Sequence, residues 1–122
     1  MNIDINEKIF IAGARGMVGS SIKRILLKRL SNSKNSSNIL CPNRKELDLL
    51  NYENVQKWFK ENKPSIVIIA AAKVGGILAN STMPYEFLLE NLKIQNNIIE
   101  NSWKTGVKKI LFLGSSCIYP KF

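Results

Sequence analysis

The residue types from which chemistry could be built fall in two stretches of the 122-residue chain. One is Gly114-Ser115-Ser116-Cys117-Ile118-Tyr119-Pro120, where two hydroxyls and a thiol follow the apolar run Ile110-Leu111-Phe112-Leu113. A serine there could hydrogen-bond a substrate carbonyl, and the thiol could exchange a proton in a chain with no histidine, the commonest general base. The same residue types also make serine-rich turns and buried cysteines. The other stretch is Gly13-Ala14-Arg15-Gly16-Met17-Val18-Gly19, set between the apolar run Ile9-Phe10-Ile11-Ala12 and a segment with apolar residues at Ile22, Ile25, Leu26 and Leu30. An unbroken apolar run reads as a buried parallel strand, and the later spacing reads as helix. In the order strand, turn, helix, Gly13 allows a tight turn, Gly16 lets the backbone approach a pyrophosphate with no Cβ in the way, and Gly19 lets the helix pack closely. The free N–H groups opening that helix, at the positive end of its dipole, would face the phosphates. A glycine turn that merely closes a loop uses the same residues; the strand before and the helix after favour the binding reading.

The remaining elements must bring these two stretches to one edge of one sheet. The polar run Ser31-Asn32-Ser33-Lys34-Asn35-Ser36-Ser37-Asn38 is a surface loop, and Ile39-Leu40-Cys41, ended by Pro42, is the natural second strand of a βαβ unit. In such a fold an acid just past that strand binds the ribose 2′-hydroxyl of NAD, whereas an arginine accommodates the 2′-phosphate of NADP. Here the chain offers Asn43-Arg44-Lys45, with no acid until Glu46. Arg44 therefore favours NADP(H), against the alternative of a solvated loop arginine, and Arg15 is a second candidate clamp. Leu47-Asp48-Leu49 leads into a helix over Asn51–Phe59, with Leu49, Val55, Trp58 and Phe59 on one face. Asp48 could meet an adenine or act as a cap or turn residue.

Pro64 stops that helix, and Ile66-Val67-Ile68-Ile69-Ala70 is a fully apolar, central parallel strand. Beyond its carboxyl end, where open α/β sheets bind ligands, small residues at Ala71 and Ala72 would let a ribose and diphosphate lie against the backbone, with Lys73 and Gly75-Gly76 close by. An ordinary strand exit is the alternative. A long helix over Pro84–Trp103 carries Phe87, Leu88, Asn91, Ile94, Ile98 and Ile99 or Trp103 as an approximate stripe, in which Asn91 needs a polar partner. Gly106 caps it, and Ile110-Leu111-Phe112-Leu113 is the last strand. The expected fold class is α/β, a doubly wound parallel sheet of the Rossmann type.

Composition narrows the classes. The length allows one domain at most, closer to half of a doubly wound enzyme. No apolar stretch approaches the roughly 20 residues of a bilayer span, and the start Met1-Asn2-Ile3-Asp4-Ile5-Asn6-Glu7 does not read as a signal peptide, so no membrane association and a cytoplasmic location are expected. Cys41 and Cys117 lie far apart without metal spacing, so no metal site is expected. The net charge of +9 is dispersed over many lysines and arginines, which argues against nucleic acid as a partner while still drawing in anionic dinucleotides.

Gly13 to Gly19, in a GxxGxxG spacing, is similar to the extended short-chain dehydrogenase/reductase superfamily. Together with Arg44-Lys45-Glu46-Leu47-Asp48-Leu49, Ala70-Ala71-Ala72-Lys73-Val74-Gly75-Gly76-Ile77 and Leu113-Gly114-Ser115-Ser116-Cys117-Ile118-Tyr119-Pro120-Lys121, it resembles the GDP-L-fucose synthase family over nearly the whole chain. That resemblance implies an NADP-dependent oxidoreductase and isomerase that epimerises GDP-4-keto-6-deoxy-D-mannose at C3 and C5 and reduces the C4 ketone. It implies that Cys117 takes part in proton exchange and that Ser115 binds the C4 oxygen. The cofactor would border Gly13 to Gly19, Arg44, Asp48, Leu49, Ala71, Ala72, Lys73, Asn91, Leu113, Gly114, Ser115 and Ser116. The family is homodimeric through helices of this fold, and the long helix is a candidate contributor. Its hydride-transfer tyrosine, followed four residues later by lysine, has no match here: Tyr52 is followed at that spacing by Gln56 and Tyr85 by Leu89. The second epimerisation histidine and the substrate domain are also unmatched. The resemblance therefore implies the amino-terminal part of a dinucleotide-binding domain over residues 1–122, without reductase activity on its own. Another nucleotide-sugar epimerase/reductase and a non-catalytic dinucleotide-binding module are the alternatives.

Overall fold

The computed structural model describes residues 7–30, 38–71 and 84–113. In chain order the elements are β1 (Ile9–Ala12), α1 (Met17–Leu30), β2 (Ile39–Leu40), α2 (Tyr52–Asn62), β3 (Ile66–Ile69), α3 (Pro84–Thr105) and β4 (Lys109–Phe112). The strands are parallel throughout, in the order β2-β1-β3-β4. The chain thus starts in the middle, steps outward to β2, crosses back over β1 to β3, and continues to β4. The order reverses between β1 and β3, which is the switch point of a doubly wound sheet.

The helices have identifiable ends. Asn51 caps α2, its side-chain oxygen accepting the Asn54 N–H at 3.1 Å, and Glu53 in the first turn and Lys60 in the last complement the helix dipole. At the other end Lys63 adopts the left-handed conformation (φ 45°), donates its N–H to the Phe59 carbonyl at 2.8 Å, and Pro64 forbids continuation. After α3, Gly106 (φ 77°) donates to the Trp103 carbonyl and Val107 to that of Ser102, closing a Schellman cap at the glycine the sequence marks for it.

Both faces of the central strands β1 and β3 are covered. Phe10, Ala12, Val67 and Ile69 point to the face where Leu47, Val55 and Phe59 from the α2 side and Ile98 of α3 meet them. Ile9, Ile11, Ile66 and Ile68 point the other way, towards Ile22 and Leu26 of α1. This is why β1 and β3 are apolar at every position rather than alternating. Phe10, Trp58 and Phe59 form a ring cluster with centroids 4.5 to 5.7 Å apart. On the α2–α3 flank, the Asn97 side chain donates to the Leu49 carbonyl at 2.9 Å, and the Lys104 ammonium donates to the Tyr52 hydroxyl at 2.8 Å and pairs with Glu100 at 3.4 Å. The Tyr52 hydrogen bond, followed by that to Glu100, raises the pKa of Lys104.

Three expectations change. Leu49 precedes α2 rather than standing on its face, because Asn51 caps the helix two residues later. The presumed single stripe of α3 divides: Phe87 and Ile98 are buried, whereas Leu88, Leu92, Ile99 and Trp103 are exposed on a second flank with Tyr85. The last strand starts one residue early, at Lys109, and its apolar side chains Ile110, Leu111 and Phe112 are each more than 40% exposed because β4 is the edge of the described sheet.

Candidate functional site

The glycine turn leaves β1 at the switch point. Gly16 N–H closes it onto the Gly13 carbonyl at 3.1 Å, and α1 begins at Met17, three residues before the serine pair at Ser20-Ser21. The three glycines answer to different constraints. Gly13 has φ 84°, and a Cβ there would lie 2.6 Å from the Ala71 nitrogen, so the turn and the exit of β3 are in backbone contact. Gly19 is buried, and a Cβ there would run into the Gly13 carbonyl, its carbon 2.7 Å away. Both are demanded by the fold itself. Gly16 differs, because a Cβ would meet only the Gly13 oxygen, at an ordinary 3.5 Å, its φ lies outside the left-handed region, and it is exposed. Nothing among the described residues needs a glycine at position 16.

Beside that open position, the N–H groups of Met17, Val18 and Gly19 have no carbonyl partner among the described residues, as the first turn of a helix requires. They point outward at the positive end of a helix of 14 residues whose first turn carries no acid. Such a cradle, open at a Cβ-free position, fits a diphosphate. Arg15 and Arg44 are exposed, and neither has an ion-pair partner among the described residues.

Register aligns the rest of the edge. Ala12 sits opposite Ile69 and Ile69 opposite Phe112, so Gly13, Ala71 and Leu113 all emerge at the carboxyl ends of adjacent strands. The Ala70 N–H donates to the Ala12 carbonyl at 2.9 Å and the Leu113 N–H to that of Ile69 at 3.2 Å. With strands about 4.8 Å apart, the exit of β4 stands roughly 10 Å from the glycine turn, on the same edge. Asn91 lies half-buried on the sheet-facing side of α3, between Phe87 and Ile94. Asp48 has a turn role: its carboxylate accepts the Leu50 N–H at 3.1 Å, and its own N–H donates to the Asn54 side chain at 2.8 Å. Ala72, Lys73, Gly114, Ser115, Ser116 and Cys117 lie outside the described residues. A shallow depression of about 190 Å³ between β2 and α2, lined by Cys41, Pro42, Glu46 and Trp58 among others, contains no residue of the glycine turn. Its thiol, Cys41, is raised in pKa by burial, with Lys23 pulling the other way.

Asn43 organises the turn beyond β2, a role that no apolar periodicity or glycine spacing marks. Its side-chain oxygen accepts the N–H groups of Lys45 at 3.0 Å and Glu46 at 2.9 Å, organising the turn that carries Arg44. The signal was present as an asparagine followed by a glutamate three residues later, a pattern of helix-cap type.

A parallel sheet reversing at β1/β3, with an amide cradle at the switch point, defines a Rossmann-like dinucleotide-binding fold. The chain belongs to the NAD dependent epimerase/dehydratase family, which matches residues 9–122. It is similar to GDP-L-fucose synthase 1 of Arabidopsis thaliana, with 50% identity over 119 residues, 98% of this chain and 35% of that protein. A GDP-L-fucose synthase of Sinorhizobium fredii is 49% identical over 116 residues, 95% of this chain and 35% of the relative. Among solved structures, the GDP-mannoheptose C4 reductase of Campylobacter jejuni, with NADP bound, superposes with a TM-score of 0.86 at 41% identity over 98% of this chain and 36% of that one. The chain thus spans about a third of the length of these relatives. Among the described residues, no helix is long and apolar enough to cross a membrane.

Proposed function

We propose that this chain is the NADP(H)-binding part of a GDP-L-fucose synthase, which epimerises GDP-4-keto-6-deoxy-D-mannose at C3 and C5 and reduces its C4 ketone. The observation that carries the cofactor reading is Gly16, an exposed position where none of the described residues excludes a Cβ but an approaching ligand would. The amides of Met17, Val18 and Gly19 take the diphosphate, and Arg44 and Arg15 take the 2′-phosphate. Asp48 and Leu49 border the adenine, while Ala71, Ala72, Lys73 and Asn91 line the path towards the nicotinamide, beside Leu113, Gly114, Ser115 and Ser116. When bound, the cofactor supplies the hydride for C4. Ser115 donates a hydrogen bond to the C4 oxygen, and Cys117 exchanges a proton with a carbon made acidic by the neighbouring carbonyl. The protein acts in the cytoplasm as a homodimer, with the exposed flank of α3 at the subunit contact.

Thermal unfolding with nicotinamide dinucleotides tests the cofactor reading. A ligand that binds only the folded chain stabilises it by about 2.7 kcal/mol at one hundred times its Kd. NADPH should raise the midpoint well above any effect of equimolar NADH. Equal shifts, or none, would remove the proposal.

A further inference from the structure

We infer that Asn43 is a positioning residue for dinucleotide selectivity, acting through Arg44; this rests on the proposed role of Arg44 at the 2′-phosphate. Four hydrogen bonds converge on Asn43: its side-chain oxygen accepts the N–H groups of Lys45 and Glu46, and its carbonyl accepts those of Glu46 at 3.1 Å and Leu47 at 2.9 Å. They fold residues 44 to 46 into one turn directly beyond β2. The turn is anchored on both sides. Pro42 restricts its entry, and Leu47, only 3% exposed, sinks into the core shared by Phe10, Val55 and Phe59. Arg44 is thereby held next to the cap, its backbone immobilised and its guanidinium exposed, without an ion-pair partner among the described residues.

A guanidinium recognises phosphate through two parallel N–H···O bonds, and that recognition is lost when the fork is displaced or free to wander. A long flexible side chain gains selectivity only when the backbone that launches it is fixed. The Asn43 carboxamide oxygen does this for Arg44, where no helix or long strand is available: β2 has two residues and ends before Cys41. Removing that oxygen releases the Lys45 N–H to water and leaves the Glu46 N–H only its longer bond to the Asn43 carbonyl, while the amide cradle of α1 stays intact, because among the described residues the glycine turn makes no hydrogen bond to residues 43–46. The consequence is specific. Affinity for the 2′-phosphate falls, and affinity for the remainder of the nucleotide does not.

The test is calorimetric titration of the full-length polypeptide with 2′,5′-ADP and 5′-ADP, for the parent and for Asn43→Ala, Asn43→Ser and Arg44→Ala, with thermal midpoints recorded alongside. The parent should prefer 2′,5′-ADP at least tenfold, and Arg44→Ala should remove most of the preference, leaving at most the share Arg15 supplies. Asn43→Ala should lose about fivefold or more of it, with 5′-ADP affinity within about twofold of the parent, and Asn43→Ser, which retains a capping oxygen, should recover it. Selectivity unchanged in Asn43→Ala, or equal weakening of both nucleotides, overturns the role of Asn43 while leaving that of Arg44 standing. Should Asn43→Ala fail to fold, Asn43→Ser decides: retained preference supports the inference and lost preference overturns it. A parent that shows no preference or binds neither nucleotide, or an Arg44→Ala variant that keeps the preference, overturns the role of Arg44 and the inference with it.

Discussion

Replacing Gly16 by alanine separates binding from folding more cleanly than any other change in the glycine turn. Among the described residues the added Cβ would meet one atom, the Gly13 oxygen at 3.5 Å, which is ordinary van der Waals contact, and the backbone there needs no positive φ. Position 16 is the N-cap of α1, its carbonyl accepting the Ser20 N–H, and alanine caps less well than glycine, so the stability cost should be no more than about 1 kcal/mol. At Gly19 the same methyl group collides with the Gly13 carbonyl, backbone against backbone, so Gly19→Ala should cost about 2 kcal/mol or more and lower the melting midpoint by roughly 8 °C or more. For a bound diphosphate the order reverses. A methyl group at position 16 lifts the phosphates away from the amides, and losing one or two charge-assisted hydrogen bonds of about 1.5 to 3 kcal/mol each weakens binding by at least tenfold. Titration with NADPH and thermal unfolding of both variants supply the two readouts. A Gly16→Ala protein that binds NADPH within about threefold of the parent would refute the assignment of Gly16 to the ligand, as would one destabilised as much as Gly19→Ala.

Further predictions follow from particular contacts. Phe59→Ala, which empties the centre of the Phe10–Trp58–Phe59 cluster, should destabilise by about 3 to 5 kcal/mol in urea unfolding. Lys63→Gly relieves a left-handed non-glycine residue at the α2 terminus and should leave stability unchanged or raise it by up to about 1 kcal/mol by the same measurement. The Cys41 thiol, its pKa raised by burial against a smaller lowering effect of Lys23, should alkylate more slowly at pH 8 than an unfolded control when the modified peptide is quantified, and Lys23→Gln should slow it further. Because the folded thiol ionises later than the unfolded one, the stability it contributes is complete below the unfolded pKa and declines as pH rises from there through the folded value; alkaline unfolding curves of a Cys41→Ala variant should lack that decline. If the protein is the proposed homodimer, Leu92→Glu, on the exposed flank of α3, should shift light-scattering mass from dimer to monomer; a dimer mass unchanged by the substitution would remove that flank from the proposed contact.

Much of this architecture was legible along the chain. Apolar residues at every position of Ile9–Ala12 and Ile66–Ile69 have an immediate physical meaning, since only a strand covered on both faces can bury them all. The glycines bracketing a strand-to-helix turn, the proline after α2 and the glycine after α3 likewise act through local backbone constraints, which composition and spacing reveal directly. Other features depended on partners far away in sequence. Periodicity on α3 gives apolar positions without saying which flank meets the sheet, and Ile98 is buried, unlike Trp103, because its flank packs on α2 and the inner face of β1 and β3. The turn role of Asp48 depends on Asn54, six residues on, and the cap at Asn43 on a core position for Leu47. The spacing of the three glycines already suggests three roles, but the contacts that enforce them, Ala71 against Gly13 and the Gly13 carbonyl against Gly19 with Gly16 left open, exist only in the fold. Local conformational preference is written residue by residue. Which surface each residue faces is settled only when strands some fifty positions apart come into register.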